Sequence, residues 1–251
     1  MKEKTLKIFS CHRCNGDIIL KSSIIAEYNG EIKEGILCCD NCKLEFPIKN
    51  YIPRFVPPDN YAQSFGFQWN KHAKAQLDKF TGLPMSRDSF FEVTQWTENL
   101  ENQKILEAGC GAGRFTQIAL ETGAEVFSFD YSNAVDANFD NNGPHENLNL
   151  FQADIYNIPL KKKSFDKIFC FGVLQHCPKP KEAFFNLLPY LKEGGQIAID
   201  VYALTPRAFV NPKYWLRPFT TRMTNDRLYN LIQKVVPKLY PAKMWITEKI
   251  P

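Results

Sequence analysis

The chain has no apolar run approaching the roughly 20 residues needed to span a bilayer. Its amino terminus, Met1-Lys-Glu-Lys-Thr-Leu-Lys, carries charge with no apolar core behind it, so no signal peptide is read there. Both absences point to a cytoplasmic protein, whose thiols stay reduced. A large charge imbalance is also missing: the net charge of +4 says little about partners when averaged over 251 residues. A composition of 44% hydrophobic and 23% charged residues is that of a folded soluble protein. The length suits one domain of ordinary size plus a small one.

Cysteines cluster at the start. Cys11-His-Arg-Cys14 and Cys39-Asp-Asn-Cys42 are two C-x-x-C knuckles with 24 residues between them. In a reducing compartment this spacing reads as four thiolates around a tetrahedral Zn2+. Asp17 to Leu20 and Gly35 to Leu37 have strand character, and Asn29-Gly30 is a hairpin signal. The whole reads as a zinc ribbon with too few apolar residues for a core of its own, so the metal supplies folding energy. Four thiolates leave no open coordination position, which makes the zinc structural; a redox or thiol-alkylation role is the alternative. Cys38 could substitute for Cys39, but only Cys39 has the two-residue spacing to Cys42. His12 is read as an exposed spacer.

Lys104 to Thr116 reads K-I-L-E-A-G-C-G-A-G-R-F-T: an apolar strand, then Glu107, then Gly109, Gly111 and Gly113, then a helical pattern. Glycines let the backbone turn sharply and a ligand approach without Cβ atoms in the way, and the helix N-terminus adds free N–H donors. Dinucleotide enzymes use G-x-G-x-x-G for the same purpose. Here the third glycine falls one residue early, and Arg114 fills the dinucleotide position. Glu125 to Asp130 reads as the next strand, ending in an acid 21 residues after Gly109, followed by Tyr131 and by Ser132 as N-cap of a helix through Asn142. Leu148 to Ile155 is a third strand closing on Asp154-Ile155, and Ser164 to His176 a fourth with its loop. Leu191 to Tyr202 carries a double-glycine turn, Gly194-Gly195, and a fifth strand. Taken singly, Asp130 and Asp154 are ordinary turn acids; the joint spacing raises them to ligand contacts.

This G-x-G-x-G series, spanning residues 104 to 202, resembles class I S-adenosylmethionine (SAM) methyltransferases, of the type 11 kind. The resemblance implies an α/β, Rossmann-like sheet, mostly parallel and flanked by helices. It implies that Glu107, Gly109, Gly111, Gly113, Asp130, Tyr131, Asp154, Ile155 and Phe171 face the cofactor. Asp130 would take the ribose hydroxyls, Asp154 the adenine amino group, and Ile155 would cover the ring. Cys39 to Phe55, of the form C-x-x-C-x-x-x-F-P-I-x-x-x-I-P-x-F, resembles the small zinc-binding activator domain that accompanies some methyltransferases. The parts are therefore a ribbon and linker at 1–57, a helical pre-core segment at 58–103, the SAM-binding core at 104–204 and a tail at 205–251.

In the pre-core segment Tyr61, Phe65, Gln68 and Trp69 are either a lid over the methionine end of SAM or packing between ribbon and core. Phe90, Phe91 and Trp96 read as core-facing residues of one helix. Asp166 reads as structural, and Cys110, Cys170 and Cys177 as packed side chains. His176 is the candidate base, its rival role a hydrogen bond that fixes its loop; Tyr202 is a candidate for the acceptor pocket. The tail holds nine Lys and Arg against Asp226 and Glu248, a net of +7, leaving −3 for the rest. Its interleaved aromatics, Phe209, Tyr214, Trp215, Phe219, Tyr229, Tyr240 and Trp245, suit RNA, an anionic membrane surface, or a cap whose aromatics face the core. Its prolines exclude one long helix. The family's two closing strands are not found after Tyr202, which reads as a truncated sheet and puts activity in doubt.

Three functions follow. The first is methylation of a small or lipid-linked metabolite, such as a sugar or quinone-like ring. The second is RNA methylation, against which stands Phe171-Gly-Val-Leu where an N/D-P-P-F/Y motif would serve exocyclic amines. The third is a non-catalytic adaptor holding a protein partner.

Overall fold

The computed structural model describes residues 1–21, 26–28, 30–57, 62–202 and 212–249. The chain divides into two compact units, Met1–Tyr202 and Ala203–Pro251.

The first unit opens on the ribbon: β1 (Ile18–Leu20), β2 (Ala26–Tyr28), β3 (Glu31–Cys39), β4 (Glu45–Lys49) and β5 (Ile52–Pro53). They pair antiparallel in the order β1-β3-β4-β5, with β2 folded back on β3. Tyr28 pairs with Glu31, so the intervening turn is two residues long, and Gly30 adopts φ +74° in it. Asn29 lies outside the described residues. Strand β4 alternates: Phe46 and Ile48 are buried while Glu45 and Lys49 face water.

Three helices, α1 (Gln63–Lys71), α2 (Asp78–Thr81) and α3 (Met85–Thr94), lead to the larger sheet. That sheet follows as β6 (Lys104–Ala108), α4 (Arg114–Glu121), β7 (Glu125–Asp130), α5 (Ala134–Asn142), β8 (Leu148–Gln152), β9 (Phe165–Cys170), α6 (Pro180–Leu187) and β10 (Leu191–Ile199). All five strands run parallel in the order β10-β9-β6-β7-β8. The chain winds outward from β6 to β8, then returns to the other side of β6, so the order reverses there. A crevice opens at the carboxyl ends of strands at such a reversal. The inner strands β6 and β7 are buried along nearly their whole length, as required of strands covered on both faces. Asp166, at the start of β9, accepts from the Lys104 N–H at 2.8 Å and from Lys192 Nζ at 2.9 Å, tying β9 to both neighbours.

The ribbon and the large sheet share one core. Phe46 and Phe55 pack at 4.8 Å, and Phe9 meets Phe55 at 5.1 Å and Phe151 of β8 at 5.5 Å. Backbone bonds cross as well: the Phe55 N–H donates to the Gln152 carbonyl at 2.8 Å, and Arg54 bridges Gln152 in parallel register. The chain leaving the ribbon thus covers the β8 edge, where unpaired backbone groups would otherwise be exposed.

Several elements depart from the sequence reading. Helix α3 ends at Thr94, with Gln95 left-handed, so Trp96 is buried beyond the helix and packs against Phe90 from the following turn. Phe90 is fully buried; Phe91 is half-buried. Asn133, not Ser132, stands at the α5 N-cap, although Ser132 Oγ accepts the Ala134 N–H at 3.2 Å. His12 is half-buried against Phe46, not exposed. In the second unit one helix spans Pro212–Thr220 and another Asn225–Lys249, with Pro237 and Pro241 inside it. A proline deletes its own N–H and crowds the preceding turn. Gln233 and Pro237, whose carbonyls lose their partners, are exposed, so water can serve them and the helix continues. Trp215 and Phe219 are exposed. Phe209 lies outside the described residues, as do the side chains of Tyr214 and Trp245. Among the described residues no strand follows β10, and no helix is long and apolar enough to cross a membrane.

Candidate functional site

A cavity of about 610 Å³ lies at the carboxyl ends of the parallel strands. The β6–α4 loop forms its floor. Gly109, Gly111 and Gly113 take φ of +82°, +51° and +88°, a region costly for residues with a Cβ. Space is equally restrictive: a Cβ on Gly109 would run into Val173, and one on Gly113 into Asn138 and Asn142. Asn142 Nδ2 donates to the Gly113 carbonyl at 2.9 Å, and Asn141 Nδ2 to that of Ala112 at 2.9 Å, so α5 braces the loop from behind.

Asp130 closes β7 beside this loop. Its Oδ2 accepts the Gly111 N–H at 2.9 Å, and its Oδ1 accepts the Ser132 N–H and hydroxyl at 2.8 and 2.7 Å. Burial raises its carboxyl above the usual range against the pull of these donors. Asp154 caps its own turn through the Tyr156 N–H at 2.9 Å. Gly109, Gly111, Asp130, Tyr131, Asp154, Ile155 and Phe171 all line the cavity. Glu107 and Gly113 do not. Glu107 lies behind the loop, 2% exposed, accepting the hydroxyls of Thr116 at 2.5 Å and Ser128 at 2.6 Å. Burial pushes its carboxyl up to about 7, with those two hydroxyls pulling the other way.

His176 and Tyr202, the sequence candidates for acceptor chemistry, line the same cavity. The His176 ring packs 5.2 Å from Phe65 and 5.9 Å from Tyr202. Phe65, Gln68 and Trp69 of α1 also line the cavity, and Trp69 lies over the loop: a Cβ on Gly111 would stand 3.3 Å from its Nε1. Tyr61 lies outside the described residues. Sequence reading missed Asp200 and Arg114. Asp200 lines the cavity just beyond β10 and accepts the Gly172 N–H. Arg114 donates from Nε to Ser86 Oγ at 2.9 Å. An acid two residues before Tyr202, and an arginine inside the glycine motif, were the available signals.

The four knuckle cysteines form a second site. Their Sγ atoms lie within 4.8 Å of one another, with Cys11–Cys42 at 3.6 Å and Cys14–Cys39 at 3.4 Å. Both knuckles fold alike: Cys11 and Cys39 donate N–H to Gly16 and Leu44, and accept from Asn15 and Lys43, which share φ +58°. Thiolates at about 2.3 Å from a common centre fit this spacing, and the set suits tetrahedral zinc. Cys38 stands outside the group; its thiol donates to the Cys39 carbonyl at 3.5 Å.

Comparison with known proteins agrees with this geometry. The methyltransferase domain family matches residues 106–199, and the Trm112p-like protein family matches residues 2–50. A tRNA U34 carboxymethyltransferase of Nautilia profundicola is 33% identical over 47% of this chain and 44% of its own length. A ubiquinone biosynthesis O-methyltransferase of Pseudomonas fluorescens is 26% identical over 45% of this chain and 50% of its own. The chain thus spans half or less of these curated relatives. Among solved structures, phosphoethanolamine N-methyltransferase 1 of Haemonchus contortus, in complex with phosphoethanolamine and S-adenosylhomocysteine, is 21% identical with a TM-score of 0.47, covering 60% of this chain and 34% of that one. Residues 106–199 of this chain are a methyltransferase domain built on the Rossmann-like parallel sheet, joined to an N-terminal Trm112p-like zinc-ribbon domain at residues 2–50.

Proposed function

We propose that this protein transfers a methyl group from SAM to a small or lipid-linked acceptor. The observation that carries this reading is the continuity of one cavity from the glycine loop and Asp130 to His176, Asp200 and Tyr202. Its volume is within the usual range for small-molecule sites. The cradle suits the nucleoside end of SAM. Gly109 and Gly111 admit its close approach, Asp130 meets the ribose, Asp154 the adenine amino group, and Ile155 covers the ring. When bound, SAM supplies an electrophilic methyl carbon on a sulfonium. This chain's residues then have to align the acceptor and keep water out, because in-line displacement is governed by alignment. Phe65 and Trp69 form the apolar wall that excludes water. His176 takes the proton of an acceptor hydroxyl or amine, an imidazole being suited to that at neutral pH. Tyr202 lines the acceptor end. The zinc is structural.

A second reading, methylation of RNA, is favoured by the tail's net charge of +7 and by the name of the tRNA-modifying relative. Incubating the protein with methyl-labelled SAM and an extract of the native host, then partitioning the label, separates the two. Label in the organic or small-molecule fraction supports the metabolite enzyme. Label released by RNase overturns it in favour of RNA. A non-catalytic adaptor would transfer no label, and its partner binding would survive replacement of Gly109 and Asp130.

A further inference from the structure

The second unit carries a surface that the cavity does not use. On the Pro212–Thr220 helix, Trp215, Leu216 and Phe219 are 66%, 59% and 70% exposed. Phe219 follows Trp215 by four residues and Leu216 by three, so the three share one broad face, and Arg217 points the other way. The Asn225–Lys249 helix repeats the arrangement. Leu231, Val235 and Leu239 follow at i, i+4 and i+8, flanked by Ile232 and Val236, and all five are exposed. Arg227, Lys234 and Lys238, at i−4, i+3 and i+7 from Leu231, run along one edge of this stripe. Two successive helices therefore each expose an aliphatic or aromatic stripe, bordered on the longer one by cations.

We propose that these two helices form an interfacial anchor, laying the apolar stripe into the surface of a bilayer that contains anionic lipid. An apolar stripe of Trp, Phe, Leu and Val with Lys and Arg at its border, where they can reach lipid headgroups, is what a helix lying in the headgroup plane requires. Charge complementarity selects the occupant. The 205–251 segment carries +7 and the rest of the chain −3, so attraction to an anionic surface concentrates in the tail. Two further observations narrow the choice. The long helix's stripe is mainly aliphatic, offering few rings on which bases could stack, whereas single-stranded nucleic acid is held by aromatic platforms set among cations. A second copy would bring +7 against +7, which repels. Since neither helix is long and apolar enough to cross a membrane, the anchor lies on the bilayer and does not span it.

The test is co-sedimentation of the full chain with vesicles of phosphatidylcholine alone or mixed with phosphatidylglycerol, with and without competing tRNA. Binding is expected to the mixed vesicles, weakening as salt rises. Leu231→Glu with Val235→Glu should weaken it on the order of a hundredfold, and Lys234→Glu with Lys238→Glu about tenfold or more. These positions are exposed, so far-UV circular dichroism and S-adenosylhomocysteine binding should not change. Absence of vesicle binding by the unmodified protein would overturn the proposal. So would displacement from the vesicles by tRNA with retention of tRNA binding in the Leu231/Val235 variant, or a dimer in solution that this variant dissociates.

Discussion

The backbone N–H of Gly111 donates to the Asp130 carboxylate at 2.9 Å, joining the glycine loop to the end of β7. The residue proposed to bind the ribose therefore also sets the shape of the loop beneath it. Asp130→Ala should remove both. A hydrogen bond to a charged group contributes about 1.5–3 kcal/mol, so S-adenosylhomocysteine affinity should fall roughly 10- to 100-fold. Isothermal titration calorimetry measures this. Asp130→Asn should retain part of the affinity, because one oxygen remains to accept.

Gly109 and Gly82 separate backbone strain from crowding. Both have positive φ, +82° and +72°, but a Cβ on Gly82 meets nothing within 4 Å while one on Gly109 runs into Val173. Gly82→Ala should cost about 1–2 kcal/mol, the left-handed penalty alone. Gly109→Ala should cost more and abolish methyl transfer. Adding Val173→Ala should recover part of the stability and not the strain, as denaturant melts of the three variants would show.

Glu107 makes stability depend on pH. Its folded carboxyl titrates near 7 because it is buried, against an ordinary value of 4.5. The folded protein then holds a proton that the unfolded chain releases. Its contribution is full below about 4.5, is lost as pH rises through 7, and levels off above, amounting to about 3 kcal/mol in all. Glu107→Gln, which still offers an oxygen to Thr116 and Ser128, should lack that slope. Urea melts from acid to mildly alkaline pH should show the variant gaining on the unmodified protein until the pH passes 7.

Removing zinc should disturb the distant cavity. Arg54, at the ribbon's exit, donates to Asp136 at 2.6 Å and to Gln152 Oε1 at 3.1 Å, while Gln152 Nε2 donates to the Tyr131 carbonyl at 3.0 Å. With Phe46 and Phe55 in the shared core, loss of the ribbon uncovers the β8 edge next to Tyr131. Cys39→Ser, or a zinc chelator, should lower the melting temperature and weaken S-adenosylhomocysteine binding together. A drop in melting temperature with affinity unchanged would show that the ribbon does not support the cavity.

How much of this was legible in the sequence follows from the range of each interaction. The glycine loop, Asp130 and Asp154 could be read because strand, turn and helix follow one another within a few residues. The zinc knuckles were legible for the same reason. Asp200 in the cavity lining and Glu107 behind the loop could not, since each is set by contacts across tens of residues. The tail was misread where a local rule was applied too strictly: Pro237 and Pro241 sit within a helix whose freed carbonyls belong to exposed residues.

The most direct test of the account is calorimetric titration of S-adenosylhomocysteine into the purified full chain, alongside Gly109→Ala. One-to-one binding that the substitution abolishes is the predicted result. No binding by the folded, zinc-loaded protein, or equal binding by the variant, would contradict the account.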